Sequence, residues 1–465
     1  MKIKSTPWQK VKRQFTRIFS KDTTEGVLML IAVASALIWA NSPWSESYHH
    51  LWEKELYIGL GEQSFRQNLH HFINDGLMAI FFFLVGLEIK REILLGELSS
   101  WRKALLPIIC AVGGMICPAL IYFAFNATGE ASGAWGVPMA TDIAFVLVIL
   151  AVLGSRVPVA LKVFVTALAI VDDLGAVLVI AFFYTDEIIW NSLFIALGCF
   201  GFLLAANRLG VREPWFYGLF GILGVWLGFL QSGVHATLAG VLIAMAIPIN
   251  ALLAEDRFSK KLSRLGRRFD ESDSPDHQLM SLNQLEIIND LSITRKAIVP
   301  PLQRIEHALS PFVNYFIIPI FAFANAGVSI GEDFGAIFSN SVSIGIVVGL
   351  VIGKLIGIVG TARIATWLGW VNLPKNTNWT QMIGAGILAG VGFTMSLFIA
   401  ELALPSEDLL GAAKLGILLA STIAVVIGSS FFFFQSKPEQ TKKKRHQVES
   451  QETNTPKTQA VLTTE

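Results

Sequence analysis

Apolar runs of about 20 residues, the length that crosses a bilayer core of about 30 Å as a helix, recur from one end of the chain to the other. They begin near Glu25, Phe72, Ala104, Ala134, Val159, Ile189, Trp215, Val234, Phe312, Ala336, Gln381 and Leu409. In lipid every backbone N–H and C=O has to be satisfied within the protein, so such runs fold as spanning helices. The segments from Trp215 and Val234 are short and meet at Gln231-Ser232-Gly233, but together they exceed one helix, which makes about twelve spans. Composition agrees: 53% of the 465 residues are hydrophobic and 15% charged, against roughly 25% charged in soluble domains. A net charge of +1 gives no field that would attract nucleic acid. Cys110, Cys117 and Cys199 lie in apolar stretches, without the spacing of a metal site or a disulfide framework. Residues 1–21 are basic, and no small-residue cleavage pattern follows the first apolar run, so that run is expected to stay as a span.

Lys and Arg resist translocation, and here they fall in alternate loops. Lys90, Arg91, Arg102, Lys103, Arg156, Lys162, Arg208, Arg212, Arg363 and Lys375 share one side, while Glu130, Asp186, Glu187, Glu332, Asp333, Glu407 and Asp408 share the other. Both termini are therefore expected in the cytoplasm. Residues 1–21 place Trp8, Val11, Phe15 and Ile18 at helical spacing among basic residues, the pattern of a surface-lying amphipathic helix. Residues 22–434 form the membrane domain, interrupted at 255–304 by a charged stretch read as a cytoplasmic linker. Residues 435–465 read as a disordered cytoplasmic tail whose Lys442-Lys443-Lys444-Arg445 can touch lipid headgroups. Between the first two spans, Tyr57 to Phe65 has the look of a hairpin about Gly61, with an edge open to a second copy.

A charge at the centre of a span costs at least about 2.5 kcal/mol, so each one asks for a partner or a function. Four stand out: Asp142, Asp172, Asp173 and Lys354. Asp172 and Asp173 sit in Ala169-Ile-Val-Asp-Asp-Leu-Gly-Ala176, near the middle of an apolar run. Two charges about 5 Å apart repel by roughly 3 kcal/mol at an effective dielectric near 20, so one of the pair readily holds a proton. When ionised, the same oxygens suit a hard cation, and proton and metal ion then compete for one site. Neighbouring side chains on a helix point about 100° apart, so the pair needs help from another helix to close a small cage. Thr141-Asp142 is the expected helper, because Gly136 and Pro138 just before it should break a span and free backbone groups for ions. A second weak span is Gly384-Ala-Gly-Ile-Leu-Ala-Gly-Val-Gly-Phe-Thr-Met-Ser396, where close helix packing is the other explanation. Lys354, in Gly349-Leu-Val-Ile-Gly-Lys-Leu-Ile-Gly357, is read as a buried partner to the carboxylates, with a snorkelling end residue as the alternative.

Weaker signals surround these. Asp75 opens the second span, where helix capping is the simpler account. Glu88, Arg91 and Glu92 lie at helical spacing at that span's other end, and Glu306-His307 precedes a span on the same side; surface ion pairing and pH sensing are both open. His235 begins a span from the opposite side, where a structural role is favoured.

Taken together these residues resemble the NhaA family of bacterial sodium/proton antiporters. The resemblance runs from about Asp22 to Phe434 and is carried by Asn74-Asp-Gly-Leu-Met-Ala-Ile-Phe-Phe-Phe-Leu-Val-Gly-Leu-Glu-Ile-Lys-Arg-Glu92, Ala140-Thr-Asp-Ile-Ala-Phe145, Ala169-Ile-Val-Asp-Asp-Leu-Gly-Ala176, Ser232-Gly-Val-His-Ala-Thr-Leu-Ala-Gly240, Phe321-Ala-Phe-Ala-Asn-Ala-Gly-Val328 and Gly392-Phe-Thr-Met-Ser396. The family is itself the standard example of inverted-topology repeats with a midplane site. The resemblance implies an all-α polytopic inner-membrane protein of twelve helices, two of them interrupted and crossing near the midplane. Asp172 and Asp173 would bind Na⁺ or Li⁺ and the protons, with Thr141 and Asp142 at the crossing. Asp142 and Lys354 would compensate helix-end charges, and Glu88, Arg91, Glu92, Glu306, His307 and His235 would respond to pH. No cofactor and no enzymatic activity are implied, and a hairpin near Tyr57 to Phe65 would join a homodimer. The chain departs from the family pattern in the long 255–304 stretch, in Ser310, where some members have a second histidine, and in Leu355, where proline is common.

Other classes fit less well. An intramembrane aspartyl protease expects a Tyr-Asp and a Gly-x-Gly-Asp pair, and this chain has Val171-Asp172. A retinal pump with Lys354 as a Schiff base would need about seven helices, and a channel would carry uncoupled ohmic current.

Overall fold

A backbone surrounded by lipid closes its own hydrogen bonds, and the chain is helical almost throughout. The computed structural model describes residues 21–60, 63–185, 187–251, 253–272, 280–328 and 340–435. Residues 1–20 and 436–465, which hold the expected amphipathic helix and tail, lie outside them, as do Asp186, Glu332 and Asp333.

Helix α1 (Lys21–Ala40) bends through 113° into α2 (Ser45–Glu53). The hairpin read from Tyr57 to Phe65 is present as antiparallel strands β1 (Glu55–Leu60) and β2 (Gln63–Asn68), with Ile58 opposite Phe65; its tip at Gly61 lies outside the described residues. Two full-length spans follow, α3 (Leu69–Leu95) and α4 (Trp101–Phe125). The next begins as a 3-10 helix, Glu130–Met139, and resumes as α5 (Ile143–Leu153). Then come α6 (Val159–Phe183), α7 (Trp190–Arg208) and the shorter α8 (Pro214–Leu230) and α9 (Ala236–Ala246). Polar helices α10 (Glu255–Glu271) and α11 (Leu282–Ile298) precede α12 (Pro301–Asn325) and α13 (Ser341–Trp367). The last elements are α14 (Trp379–Leu388), α15 (Phe393–Ala403) and α16 (Glu407–Gln435).

Among the described residues, eight helices are long and apolar enough to cross a membrane, or ten if the bent pairs α1/α2 and α14/α15 each make one span. Helices α8 and α9 are apolar but shorter than a bilayer crossing. They are parted by Gly233, whose positive φ of 80° is open to glycine at no steric cost. The 255–304 stretch holds two helices. Phe258, Leu262, Leu265 and Phe269 lie on one face of α10, and Leu265 and Ile287 are buried where α10 meets α11. The pair is antiparallel and tied at both ends, by Gln284 Nε2 to Ser272 O (3.2 Å) and by Leu253 N to Ala297 O (3.0 Å).

Small residues set the closest helix approaches, as expected where lipid gives little hydrophobic drive. Gly345, Gly349, Gly353 and Gly357 recur every four residues along α13, one face of the helix. A Cβ at Gly353 would lie 2.8 Å from Pro118 Cα of α4, and one at Gly357 would press on the Gly113 carbonyl. Gly86 and Gly240 bring α3 and α9 together in the same way. Gly357→Val should therefore destabilise the fold by roughly 1–3 kcal/mol through overpacking. A lowered melting transition in detergent would show this, whereas Gly198→Val on α7, where a side chain meets nothing within 4 Å, should leave that transition in place.

Candidate functional site

The centre of α6 carries Asp172 and Asp173, each 1% exposed, and the glycine-packed α13 delivers Lys354, also 1% exposed, to meet them. Lys354 follows a π-turn at Gly349–Gly353, a widening of the helix often found at functional sites. Its stem runs past Gly114, where a Cβ would come within 3.8 Å of Lys354 Cδ. The ammonium lies 2.6 Å from Asp172 Oδ2. Among the described residues no donor reaches Asp172 Oδ1 or either carboxylate oxygen of Asp173, although all three atoms are buried. Asp173 is within electrostatic range of Asp172, Asp142, Glu88 and Lys354. A cluster of that kind can hold protons or a hard cation on oxygens that the fold itself leaves unbonded.

The break between Met139 and Ile143 is extended backbone, with ψ of 146° at Ala140 and 97° at Asp142. It faces the break between α14 and α15, where the two helices bend by 47°. Asp142 Oδ1 accepts from Phe145 N (3.0 Å), capping α5. Its Oδ2 accepts from Thr394 N (3.1 Å) and Thr394 Oγ1 (2.6 Å), at the start of α15. One buried carboxylate thus answers the orphan N–H groups and the positive ends of two helices. In return Asp142 N donates to Val391 O (2.7 Å) and Thr141 Oγ1 to Ala389 O (2.9 Å), which takes up free carbonyls near the end of α14. Ser396 Oγ adds a bond to Val137 O (2.8 Å). The hydrogen bonds of Thr141 and Asp142 run to the α14–α15 break, where unpaired helix ends claim them, and Asp142 stays within electrostatic range of Asp173.

The remaining residues separate into two groups. At one end of α3, Arg91 Nη1 pairs with Glu306 Oε1 at 2.8 Å and Nη2 with Glu92 Oε1 at 3.5 Å. Glu88 lies within range of all three charges, and His307 is exposed beside them. Near the opposite end, His235 Nε2 is 2.5 Å from Tyr184 O and within range of Asp75. Asp75 does not cap its helix. Asn68 does so, accepting from His71 N at 2.8 Å, and Asp75 lies inside a π-turn at Phe72–Leu77 with its carboxylate 3.8 Å from His71 Nδ1.

Sequence reasoning passed over several residues that the structure brings in. Thr394 and Ser396 were visible as hydroxyls just after a glycine-rich break, the usual place for a cap. Tyr184 pins the 3-10 segment, accepting from Gly136 N (3.1 Å) and donating to Gly133 O (2.8 Å). Lys90 Nζ donates to Met245 O (2.6 Å) and Ile247 O (2.5 Å) at the end of α9. Tyr184 carries no local signal, and Lys90 shows only as a basic residue of its loop.

Lys354→Met should destabilise the protein by roughly 3–5 kcal/mol, since it leaves a buried carboxylate unpaired. Lys354→Met/Asp172→Asn, which removes both charges together, should recover most of the loss; thermal melting of the single and double variants reads both effects.

A model of the Na⁺/H⁺ antiporter 1 family matches residues 16–432. Curated relatives include the Na⁺/H⁺ antiporter NhaA of Koribacter versatilis, 46% identical over 426 residues that cover 92% of each chain. That of Oleidesulfovibrio alaskensis is 47% identical over 425 residues, 90% of this chain and 93% of its own. A third, from Acidithiobacillus ferrooxidans, is 46% identical over 417 residues, 89% and 95% of the two chains. With a buried carboxylate pair beside Lys354 and a match along nearly its whole length, the chain belongs to the NhaA family of Na⁺/H⁺ antiporters, membrane transporters and not enzymes.

Proposed function

We propose that the protein is an electrogenic, pH-regulated antiporter of the bacterial inner membrane that extrudes Na⁺ or Li⁺ in exchange for external protons by alternating access. The observation that carries this reading is the set of three buried oxygens of Asp172 and Asp173 that no donor among the described residues reaches, beside a lysine already 2.6 Å from Asp172. A hard cation takes carboxylate oxygens as ligands. It can do so only as protons leave and the Lys354 ammonium yields Asp172, so cation and proton exclude one another. Exchange of more than one proton per cation moves net charge, worth roughly 2.3 kcal/mol per charge per 100 mV.

In this reading Thr141 and Asp142 act on the site through the crossing. Asp142 offsets the positive ends of α5 and α15, and any change that parts these ends also moves the neighbours of Asp173. The mobile unit is built from two inverted repeats in a twelve-helix domain, with α8 and α9 as separate short spans and both termini in the cytoplasm. Arg91, Glu92, Glu306, Glu88 and His307 form the cytoplasmic pH-sensing cluster, and His235 responds from the outer side. The β1–β2 hairpin joins two copies through its open edge, and the basic tail touches lipid headgroups.

The test is proton movement in everted membrane vesicles from an antiporter-deficient strain. Added Na⁺ or Li⁺ should collapse a preformed ΔpH with the wild-type chain, and Asp172→Asn or Asp173→Asn should abolish the response by at least about 10²-fold, the scale on which loss of a proton-transfer group is felt. Normal exchange by either variant would remove these carboxylates from the site.

A further inference from the structure

At the end of the bundle opposite the Arg91–Glu306 pair, a cavity of about 880 Å³ opens between α2, the start of α3, the ends of α12 and α15, and the first turns of α16. Its wall holds a second lysine–carboxylate pair, this one part-buried. Lys414 Nζ lies 2.6 Å from Glu401 Oε1, with the two side chains only 13% and 11% exposed, and His70 Nε2 is 3.7 Å from the same oxygen. The orientation of His70 follows from its neighbour. Asn325 Nδ2 donates to Phe321 O and Asn74 Oδ1, both at 3.0 Å, so Asn325 Oδ1 is the atom facing His70, and His70 Nε2 must be the donor across 3.0 Å. Glu401 therefore has the Lys414 ammonium as its close partner, since the His70 N–H is taken by Asn325, and the cavity lies in front of it.

The charge in the cavity does not balance. Glu53, Glu407 and Asp408 line it with Glu401, and Lys414 is the one fully charged cation among its described lining residues. Carboxylates around a low-dielectric hollow focus a field that concentrates cations. Lys414 also has somewhere to go. Glu407 and Asp408 precede it on the same helix and open into the same cavity, so an ammonium that leaves Glu401 meets other carboxylates. The cavity is linked to the centre as well. Helix α15 holds Asp142 through Thr394 at one end and presents Glu401 two turns further on, a rise of about 10 Å.

We propose that this cavity is a second cation site, an outer vestibule that takes the same hard monovalent cation as the central pair, with Glu401 as its carboxylate and Lys414 as the tethered charge that the cation displaces. The proposal rests on the exchange reading above. It repeats, nearer the surface, the arrangement of Lys354 and Asp172: a lysine keeps a carboxylate neutralised until a cation arrives.

The test compares the two membrane faces. Sodium-driven proton movement is measured in right-side-out and in everted vesicles bearing the full chain, and the ratio of half-saturating Na⁺ at the outer face to that at the inner face is the readout. Glu401→Gln should raise this ratio about tenfold, the low end of what focusing by a charged cleft supplies. Lys414→Gln should lower it, because the carboxylate is left open to sodium, and Glu401→Asp should stay near the wild-type ratio. Glu401→Gln/Lys414→Gln, which removes the pair together, covers the case of a single variant that does not fold and should keep the raised ratio. If both single variants shift the two faces alike, the pair is only structural and the proposal is overturned; an unmoved ratio with exchange intact overturns it too. Absence of sodium-driven proton movement in the wild-type chain would instead bring down the exchange reading itself.

Discussion

The ion pair between Lys354 and Asp172 is the constraint around which the bundle is arranged. Two charges 1% exposed in the middle of a membrane protein have lost almost all their hydration, a cost of several kcal/mol per ion that only a close partner offsets. The separation of 2.6 Å requires α13 to approach α6 past α4, and the glycines of α13 and of α4 at Gly113-Gly114 make that approach possible by removing side chains from the contact. Packing and electrostatics therefore fix the same geometry. Asp173, beside this pair, receives no donor from the described residues.

A second constraint is the mutual capping of two broken helices. A helix end buried without partners leaves N–H or C=O groups unsatisfied at a cost of several kcal/mol in lipid. Here the ends satisfy each other: Asp142 caps α5 and α15, and Thr141 with the Asp142 amide takes the carbonyls near the end of α14. Most of these bonds depend on a side chain, unlike those within a helix, and only that from Asp142 N to Val391 O joins backbone to backbone. Phe82, Phe321 and Phe398, all nearly fully buried and in ring contact, close the bundle between that crossing and the outer cavity.

Much of this was legible in the chain. Apolar length and charge asymmetry gave the class, Asp172 and Asp173 stood out because no propensity calls for acids in such a run, and Gly136, Pro138 and the glycines before Phe393 marked both breaks. The helical pairing within the insertion was not legible, because its charge masked four apolar residues on one face of α10. Asp75 misled because it sits where a cap is expected, while Asn68, outside the apolar run, does the capping. Tyr184 carried no signal, and Lys90 showed only as a basic residue of its loop, since each serves a carbonyl or amide far away in sequence.

Sequence by itself determined which segments enter the membrane, which groups are too costly to be there without a reason, and to which family the chain is similar. It could do so because desolvation is a property of residue type and local run. Only the tertiary structure decided that Lys354 takes Asp172 and leaves Asp173, that Asp142 turns toward Thr394, and that Glu401, Lys414 and His70 gather at one cavity. Those pairings join residues on different helices, and they are set by which helices pack closely enough for a buried charge to find its partner.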